Sequence, residues 1–506
     1  MAEIPFNNVF KGPDSVINYF DPDLQPPLPL VELPAKLNHF RRDGVRIYAK
    51  MLTATPAQNV KVLPALNMLL HEPRAANKSI VEASSGSTAL SLGMAARVLW
   101  DNEDVCAHLT NKKHPDQLRT LQFFGLKISL YGGLAQQEPV DPRGVMSRLR
   151  RLAKKDDQII YPGQYDNEHN WKSHVRWTGP QIFKQLPEID IFCTTVGTGG
   201  CITGTGVYLK SQKPSVKVVG VCNVFGDPTP GPRHFPGFES SQFPWRETID
   251  SFQHVASVES YEKSMQLSRE GIICGPSSGE ALCGLFDYLQ KEKDAGTLKN
   301  LADERTGEIS CVFICCDLPY QYMDNYFQKL GEDKFPPIYN KILMSCDQDK
   351  YDERWELTPE QTTKLLTRAS RTKRGPRPCA RPSCRTKPSC HSSGTSKATI
   401  LDLRQKQDFD KEHMCGSTSS PLKQLNERTG DIFSDANALH MHWKNLKNKF
   451  DTESPRLGSK NLSLLVLCYD GETSRLAVSI LRAMGYSAFS VFGGYAALVG
   501  CSKARK

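Results

Sequence analysis

The sequence has no run approaching the roughly 18 consecutive apolar residues of a membrane-crossing helix, so no spanning segment is expected. Its opening, Met1-Ala2-Glu3-Ile4-Pro5-Phe6, lacks the basic-then-apolar order of an export signal. Cysteine is not scarce, with sixteen in 506 residues, but paired spacing is. Several cysteines (Cys193, Cys315, Cys316, Cys468) fall inside apolar, strand-like runs. A disulfide framework is therefore not expected, and a reducing, cytoplasmic setting fits best. No internal repeat is visible.

Acidic residues are missing from one stretch. Between Arg368 and Lys397 there are nine Lys or Arg and no Asp or Glu, which equals the whole net charge of +9. The excess is thus local and does not mark the chain as a nucleic-acid binder. This segment is rich in Pro and Ser and has no hydrophobic periodicity, so it is expected to be a disordered, solvated linker. Cys379, Cys384, Cys390 and His391 lie in it without paired C-x-x-C spacing, and no metal site is expected.

On either side the composition is globular, with 39% hydrophobic residues overall. From about residue 38 to 337, apolar runs at 79–82, 127–130, 189–194, 216–221 and 310–315 alternate with helical stretches. That alternation implies an α/β fold with crossover connections and a largely parallel sheet, its ligands at the carboxyl ends of strands. A helical stretch near 358–368 leads into the linker. A smaller unit then begins at Ala398-Thr399-Ile400-Leu401-Asp402-Leu403. The expected division is 1–340, a segment of helix and linker over 341–397, and 398–506.

The glycine-rich turn Gly197-Thr198-Gly199-Gly200-Cys201 follows the apolar run 189–196 and opens a helical stretch. Strand, small-residue turn and helix start together cradle phosphate, because unpaired amides at a helix N-terminus favour an anion. With Thr55-Pro56-Ala57-Gln58-Asn59-Val60-Lys61, Ala83-Ser84-Ser85-Gly86-Ser87-Thr88, Gly163-Gln164-Tyr165-Asp166-Asn167 and Gly275-Pro276-Ser277-Ser278-Gly279, this turn resembles the cysteine synthase and cystathionine beta-synthase family. These are fold type II pyridoxal phosphate enzymes, built from two subdomains of twisted parallel sheet flanked by helices. The motifs occur in the family's order, and the likeness covers roughly residues 28 to 330.

The resemblance implies pyridoxal 5'-phosphate as cofactor and gives each motif a role. Lys61 takes the position of the lysine that bonds to the cofactor aldehyde and then serves as base at the substrate's α carbon. Gly197, Thr198, Gly199, Gly200 and Cys201 take the phosphate, with Cys201 where the family has threonine, a stronger donor. Ser84, Ser85, Gly86 and Thr88, together with Gln164, take the substrate carboxylate. Ser87 stands for the family's asparagine near the ring oxygen, and Ser277, in preference to Ser278, faces the ring nitrogen. A hydroxyl there favours elimination or replacement at the β carbon over transamination. His174 is expected to be structural. Val62-Leu63, where the family commonly has Asp-Arg, and Leu28-Pro29-Leu30, without the usual threonine, are departures.

The smaller unit resembles a rhodanese domain through Ile400-Leu401-Asp402-Leu403-Arg404, Val466-Leu467-Cys468-Tyr469-Asp470 and Val491-Phe492-Gly493-Gly494. This implies Cys468 as a persulfide carrier, held by amides of the loop through Thr473 that lower its thiol pKa. Asp470 and Glu472 beside it should repel thiosulfate, so a persulfide, or sulfide from the first unit, is the expected sulfur source.

The function implied is β-elimination or β-replacement on a cysteine- or serine-type amino acid, coupled to a sulfur carrier. Sulfide addition gives cysteine, and water gives pyruvate and ammonia. The alternatives are cystathionine-type condensation and a non-catalytic sulfur- or redox-sensing module. The family likeness also implies a homodimer; no membrane or nucleic-acid partner is expected.

Overall fold

The computed structural model describes residues 8–84, 86–113, 115–132, 139–346, 351–369, 378–379, 398–423, 433–453, 457, 460 and 462–503. The chain divides into two compact units, Met1–Phe335 and Pro336–Lys506.

The first unit holds ten strands: β1 (Leu30–Glu32), β2 (Val45–Met51), β3 (Ser79–Ala83), β4 (Val105–Thr110), β5 (Lys127–Tyr131), β6 (Ile159–Ile160), β7 (Ile189–Thr195), β8 (Lys217–Asn223), β9 (Ser251–Val255) and β10 (Ile309–Cys315). They form two sheets, ordered β1-β2-β10-β7-β8-β9 and β5-β4-β3-β6. Every pairing is parallel except that of β1 with β2. All seven residues of β10 are buried, as a central parallel strand covered on both faces requires. The five apolar runs read from the sequence are strands. β2, β4 and β9 were not marked as such, because they interleave polar residues (Arg46, His108, Gln253) with the apolar ones.

In the larger sheet, β2, β7, β8 and β10 pack on one side against the helix Pro276–Asp294 through Ala281, Leu282, Leu285 and Leu289. Their other side meets the helix Gly200–Gln212 through Ile202 and Leu209. Gly204 on that helix permits close approach: a β carbon there would strike the Trp171 carbonyl. The smaller sheet packs against the helices Val62–Leu70 and Ser87–Trp100.

The second unit has one five-stranded parallel sheet, ordered β11-β17-β16-β13-β15: β11 (Glu356–Leu357), β13 (Ala398–Asp402), β15 (Ser417–Ser419), β16 (Ser463–Leu467) and β17 (Ser487–Val491). Two short strands, β12 (Pro378–Cys379) and β14 (His413–Met414), pair antiparallel. The strand β11 and the helix Pro359–Ala369, read from the sequence as a lead-in to the linker, are built into this unit. β11 pairs with β17, and Leu357 and Leu366 pack on the cluster of Val491, Leu498 and Val499. Of the basic stretch, Arg368 and Ala369 end the helix Pro359–Ala369 and Pro378–Cys379 forms a strand; the rest, with Cys384, Cys390 and His391, lies outside the described residues. Among the described residues no helix is long and apolar enough to cross a membrane, and no cluster of His, Cys, Asp and Glu could hold a metal ion.

A candidate cofactor cleft and a candidate sulfur-carrier pocket

The carboxyl ends of β3, β5, β7 and β10 open on a cavity of about 320 Å³ in the first unit. Lys61, Ser84, Gly86, Ser87, Thr88, Gln164, Gly197, Thr198, Gly199, Cys201 and Ser277 line it together. Ser85 lies outside the described residues. Gly200 sits one layer back, where a β carbon would strike the Asn170 side chain.

Lys61 caps the helix Val62–Leu70 on a turn stitched by Asn59. The Asn59 carboxamide oxygen accepts from the Lys61 amide at 2.9 Å and from the Ser91 hydroxyl at 3.0 Å. The Val60 amide donates to the Cys316 carbonyl at 2.7 Å, fixing the turn to the end of β10. Among the described residues no acid pairs with the Lys61 ammonium.

The glycine turn is a helix N-terminus. Gly199 has φ +87° and caps the helix Gly200–Gln212. An alanine there would be strained and would drive its methyl into Phe238. At Gly197 a β carbon would come within 2.8 Å of the Gly231 carbonyl. Glycines therefore let bare amides form the cavity floor. The Thr198 hydroxyl accepts from Asn170 Nδ2 at 3.0 Å and from the Gly200 amide at 3.3 Å, which leaves its own proton to give. Burial pushes the Cys201 thiol up to about 12, so it is a neutral, weak donor at this turn.

The substrate loop is braced from below. Glu82, fully buried at the end of β3, accepts from the amides of Ala83 (2.9 Å), Gly163 (3.0 Å) and Gln164 (3.3 Å). Burial raises its carboxyl to about 7 against these hydrogen bonds. Gln164, expected to reach substrate, lines the cavity, and its amide also makes two bonds within the wall. Its oxygen accepts from Thr88 Oγ1 at 2.7 Å and its nitrogen donates to the Ala83 carbonyl at 3.1 Å. The residue lies in the wall and ties the two loops into one piece.

The serine pair resolves. Ser278 is fully buried and its hydroxyl accepts from the Cys316 amide at 3.0 Å, whereas Ser277 lines the cavity. His174 is structural: it is buried, its Nδ1 lies 2.8 Å from Thr178 Oγ1, and burial drives its pKa down to about 3.

Asp317 and Arg233 are among the cavity residues that carry no motif and were missed. Asp317 follows β10, and its Oδ2 accepts from Tyr322 (2.6 Å) and Gln321 (3.1 Å), while Oδ1 is buried with no partner. Burial raises its carboxyl to about 6 against the Tyr322 hydrogen bond and the charge of Lys61. Arg233 closes the segment Pro228–Arg233. Its Nε and Nη2 donate to the Tyr165 hydroxyl at 3.3 and 3.0 Å, and Nη1 is buried with no partner. A local signal existed only in the run Pro228-Thr229-Pro230-Gly231-Pro232, whose prolines and glycine mark a rigid loop.

An amide-floored anion seat, an amine in the same cavity, and orphaned polar atoms at Thr194 Oγ1 and Asp317 Oδ1 together fit pyridoxal phosphate. The Gly197–Cys201 turn would hold its phosphate and Lys61 its aldehyde carbon.

In the second unit Cys468 directly follows β16 and is fully buried. Its sulfur accepts from the amides of Gly471 at 3.1 Å and Ser474 at 3.3 Å, and the thiol reaches Ser474 Oγ at 3.4 Å. The cradle thus extends one residue beyond Thr473. The expected lowering of the thiol pKa is corrected: burial pushes it up to about 11, outweighing the Ser474 and Gly471 hydrogen bonds, with Asp470 adding to the rise.

Comparison with known proteins agrees with this geometry. Residues 23–301 match the family of pyridoxal-phosphate dependent enzymes, and residues 391–501 match the rhodanese-like domain. A cysteine synthase of Aquifex aeolicus is 31% identical over 283 residues, covering 53% of this chain and 84% of that protein. An N-(2-amino-2-carboxyethyl)-L-glutamate synthase of Ralstonia nicotianae is 30% identical over 281 residues, covering 52% and 80%. Among solved structures, a hydrogen sulfide-producing enzyme of Fusobacterium nucleatum superposes with a TM-score of 0.50 at 23% identity, over 60% of this chain and 96% of that one, a likeness of fold. A pyridoxal phosphate cleft in the first unit and a cysteine-bearing sheet in the second therefore have one reading: the chain belongs to the family of pyridoxal-phosphate dependent enzymes and carries a rhodanese-like domain after it.

Proposed function

We propose that the first unit catalyses β-elimination or β-replacement on a cysteine- or serine-type amino acid, and that Cys468 of the linked unit carries sulfane sulfur, taking it from a persulfide whose own thiol leaves. The observation that supports it most is the meeting of Lys61, Gly197, Thr198, Gly199 and Cys201 of the glycine turn, Ser84, Gly86, Ser87 and Thr88 of the serine loop, and Ser277 on one cavity. The printed activity of the Aquifex relative, cysteine synthesis, agrees with it.

Bound pyridoxal phosphate supplies an electron sink that loosens the α proton and lets the β substituent depart. The residues of the chain do the rest. The amides of the Gly197–Cys201 turn seat the phosphate, and the amides and hydroxyls of the Ser84–Thr88 loop seat the α-carboxylate, each by the partial positive charge of a helix start. Gln164 holds that loop in shape through Thr88. The Lys61 amine, held by the Asn59 turn, takes the proton from the α carbon. Ser277 offers a neutral hydroxyl to the ring nitrogen. In the second unit the Gly471 and Ser474 amides would stabilise a persulfide on Cys468, whose terminal sulfur is more acidic than the parent thiol. The acidic Asp470 and Glu472 favour neutral or protein-borne donors over thiosulfate. A homodimer, from the family likeness, and a cytoplasmic setting, from the scattered unpaired cysteines, are part of the same reading.

The test is product analysis of the full-length protein with cysteine, O-acetylserine and serine, each with and without sulfide. Cysteine from O-acetylserine plus sulfide, or pyruvate and sulfide from cysteine, supports the reading. A purified protein that neither takes up pyridoxal phosphate nor develops a visible absorption band overturns it. In a Cys468→Ser variant, transfer of sulfur to a thiol acceptor is expected to vanish while the first reaction continues.

A further inference from the structure

The two anion seats assigned above, for the cofactor phosphate and the α-carboxylate, are built from amides and hydroxyls. Neither uses Arg233, although this guanidinium lines the same cavity and its residue is only 3% exposed. Among the described residues no carboxylate pairs with it; its only hydrogen-bond acceptor is the Tyr165 hydroxyl, and Nη1 remains unsatisfied. The guanidinium also lies over the Tyr165 ring, 4.7 Å from its centroid. A buried cation without a counter-ion is still costly, and an anion arriving to pair with it would offset that cost.

The backbone that carries the arginine is pinned. Its amide donates to the Val196 carbonyl at 2.8 Å and its carbonyl accepts from the Asn223 amide at 3.0 Å. Asn223 Nδ2 also donates to the Pro232 carbonyl at 2.9 Å. Tyr165, which holds the guanidinium, directly follows Gln164 of the substrate block. Lys113 is a further cation on the cavity wall, and among the described residues the single acid there, Asp317, is already engaged by Tyr322 and Gln321. The described wall, with Lys61, Lys113 and Arg233 against Asp317, is thus net positive.

We propose that Arg233 receives a second anionic group of the substrate, a phosphate or a carboxylate on the substituent that leaves the β carbon, so that the preferred amino acid is an O-acylated or O-phosphorylated serine with a charged leaving group. This rests on the β-replacement reading and adds the substrate class. A guanidinium suits either group, since its paired donors match phosphate and carboxylate oxygens alike.

The experiment uses full-length protein loaded with pyridoxal phosphate. Dissociation constants for O-phosphoserine, O-succinylserine and O-acetylserine are measured by calorimetry, and KM and kcat for each with sulfide, in wild type and in Arg233→Gln and Arg233→Lys variants. The expected result is tighter wild-type binding of a charged ester than of O-acetylserine. That preference should fall by roughly tenfold or more in Arg233→Gln, the worth of a hydrogen bond to a charged group, and be partly restored by Arg233→Lys. Whether the phosphate or the succinyl ester loses more identifies the anion. Equal losses for all three esters would place Arg233 on the α-carboxylate or in the scaffold, and a parallel loss of pyridoxal phosphate affinity would place it on the cofactor; either overturns the inference. Charged esters that bind through Arg233 without being turned over would keep it and overturn the reaction. Turnover of all three with one common constant would do the reverse.

Discussion

The protein uses one backbone device twice. After β7 and after β16 the chain turns through a glycine in the left-handed region, Gly199 at φ +87° and Gly471 at φ +107°, and enters a helix whose first amides point back at the strand end. In the first unit those amides floor an open cavity with cations on its wall. In the second they close on the protein's own Cys468 sulfur, flanked by Asp470 and Glu472. The same helix-start field thus faces an external anion in one place and the protein's own sulfur in the other. What separates them is the side chain that fills the nest and the sign of its neighbours.

The comparison breaks most sharply at the nucleophiles. Lys61→Ala is expected to lower turnover by about 10³-fold or more and to abolish the visible band, while pyridoxal phosphate still binds through its phosphate. Retention of activity, read by steady-state kinetics and absorbance, would remove Lys61 from the reaction.

The turns themselves come next. Gly199→Ala combines left-handed strain with a clash against Phe238 and should cost about 2–5 kcal/mol in denaturant unfolding of the first unit. Gly471→Ala meets its nearest atom, the Val491 carbonyl, at 3.0 Å and should cost the second unit about 1–2 kcal/mol. Equal losses would mean that the close packing at Gly199 carries no weight.

Titration separates the sites further. Asp317 is raised from 3.8 to about 6, so the fold favours its protonated form. Wild-type protein without cofactor should lose stability relative to Asp317→Asn as pH rises from about 4 to 6, by about 3 kcal/mol in all, and run parallel to the variant above that. Unfolding curves across that range check the sign. The smallest effect is at Cys468. With its thiol near 11, alkylation of this residue by iodoacetamide, followed by peptide mass spectrometry, should still climb about tenfold per pH unit between 8 and 10. A plateau near pH 9 would mean an unperturbed thiol.

Lys61, the glycine turn, the serine loop and Ser277 were legible because each is a contiguous motif at a strand or helix end, where local sequence and local backbone coincide. Asp317 and Arg233 were not. They reach the cavity from the loops after β10 and β8, and only the tertiary fold shows that each has an unsatisfied atom there. The tie between Gln164 and Thr88 crosses 76 residues, so a motif for one does not reveal the other. At Cys468 the amide cradle could be read from the loop, but the thiol's pKa follows from burial beneath the helices, a property of packing.

The Glu82 brace has a practical consequence for anyone wishing to redirect the enzyme. Because one carboxyl laces Ala83, Gly163 and Gln164 together, and Gln164 in turn grips Thr88, altering either loop will drag the other with it. A library that varies one of these loops therefore has to vary the other in the same clones.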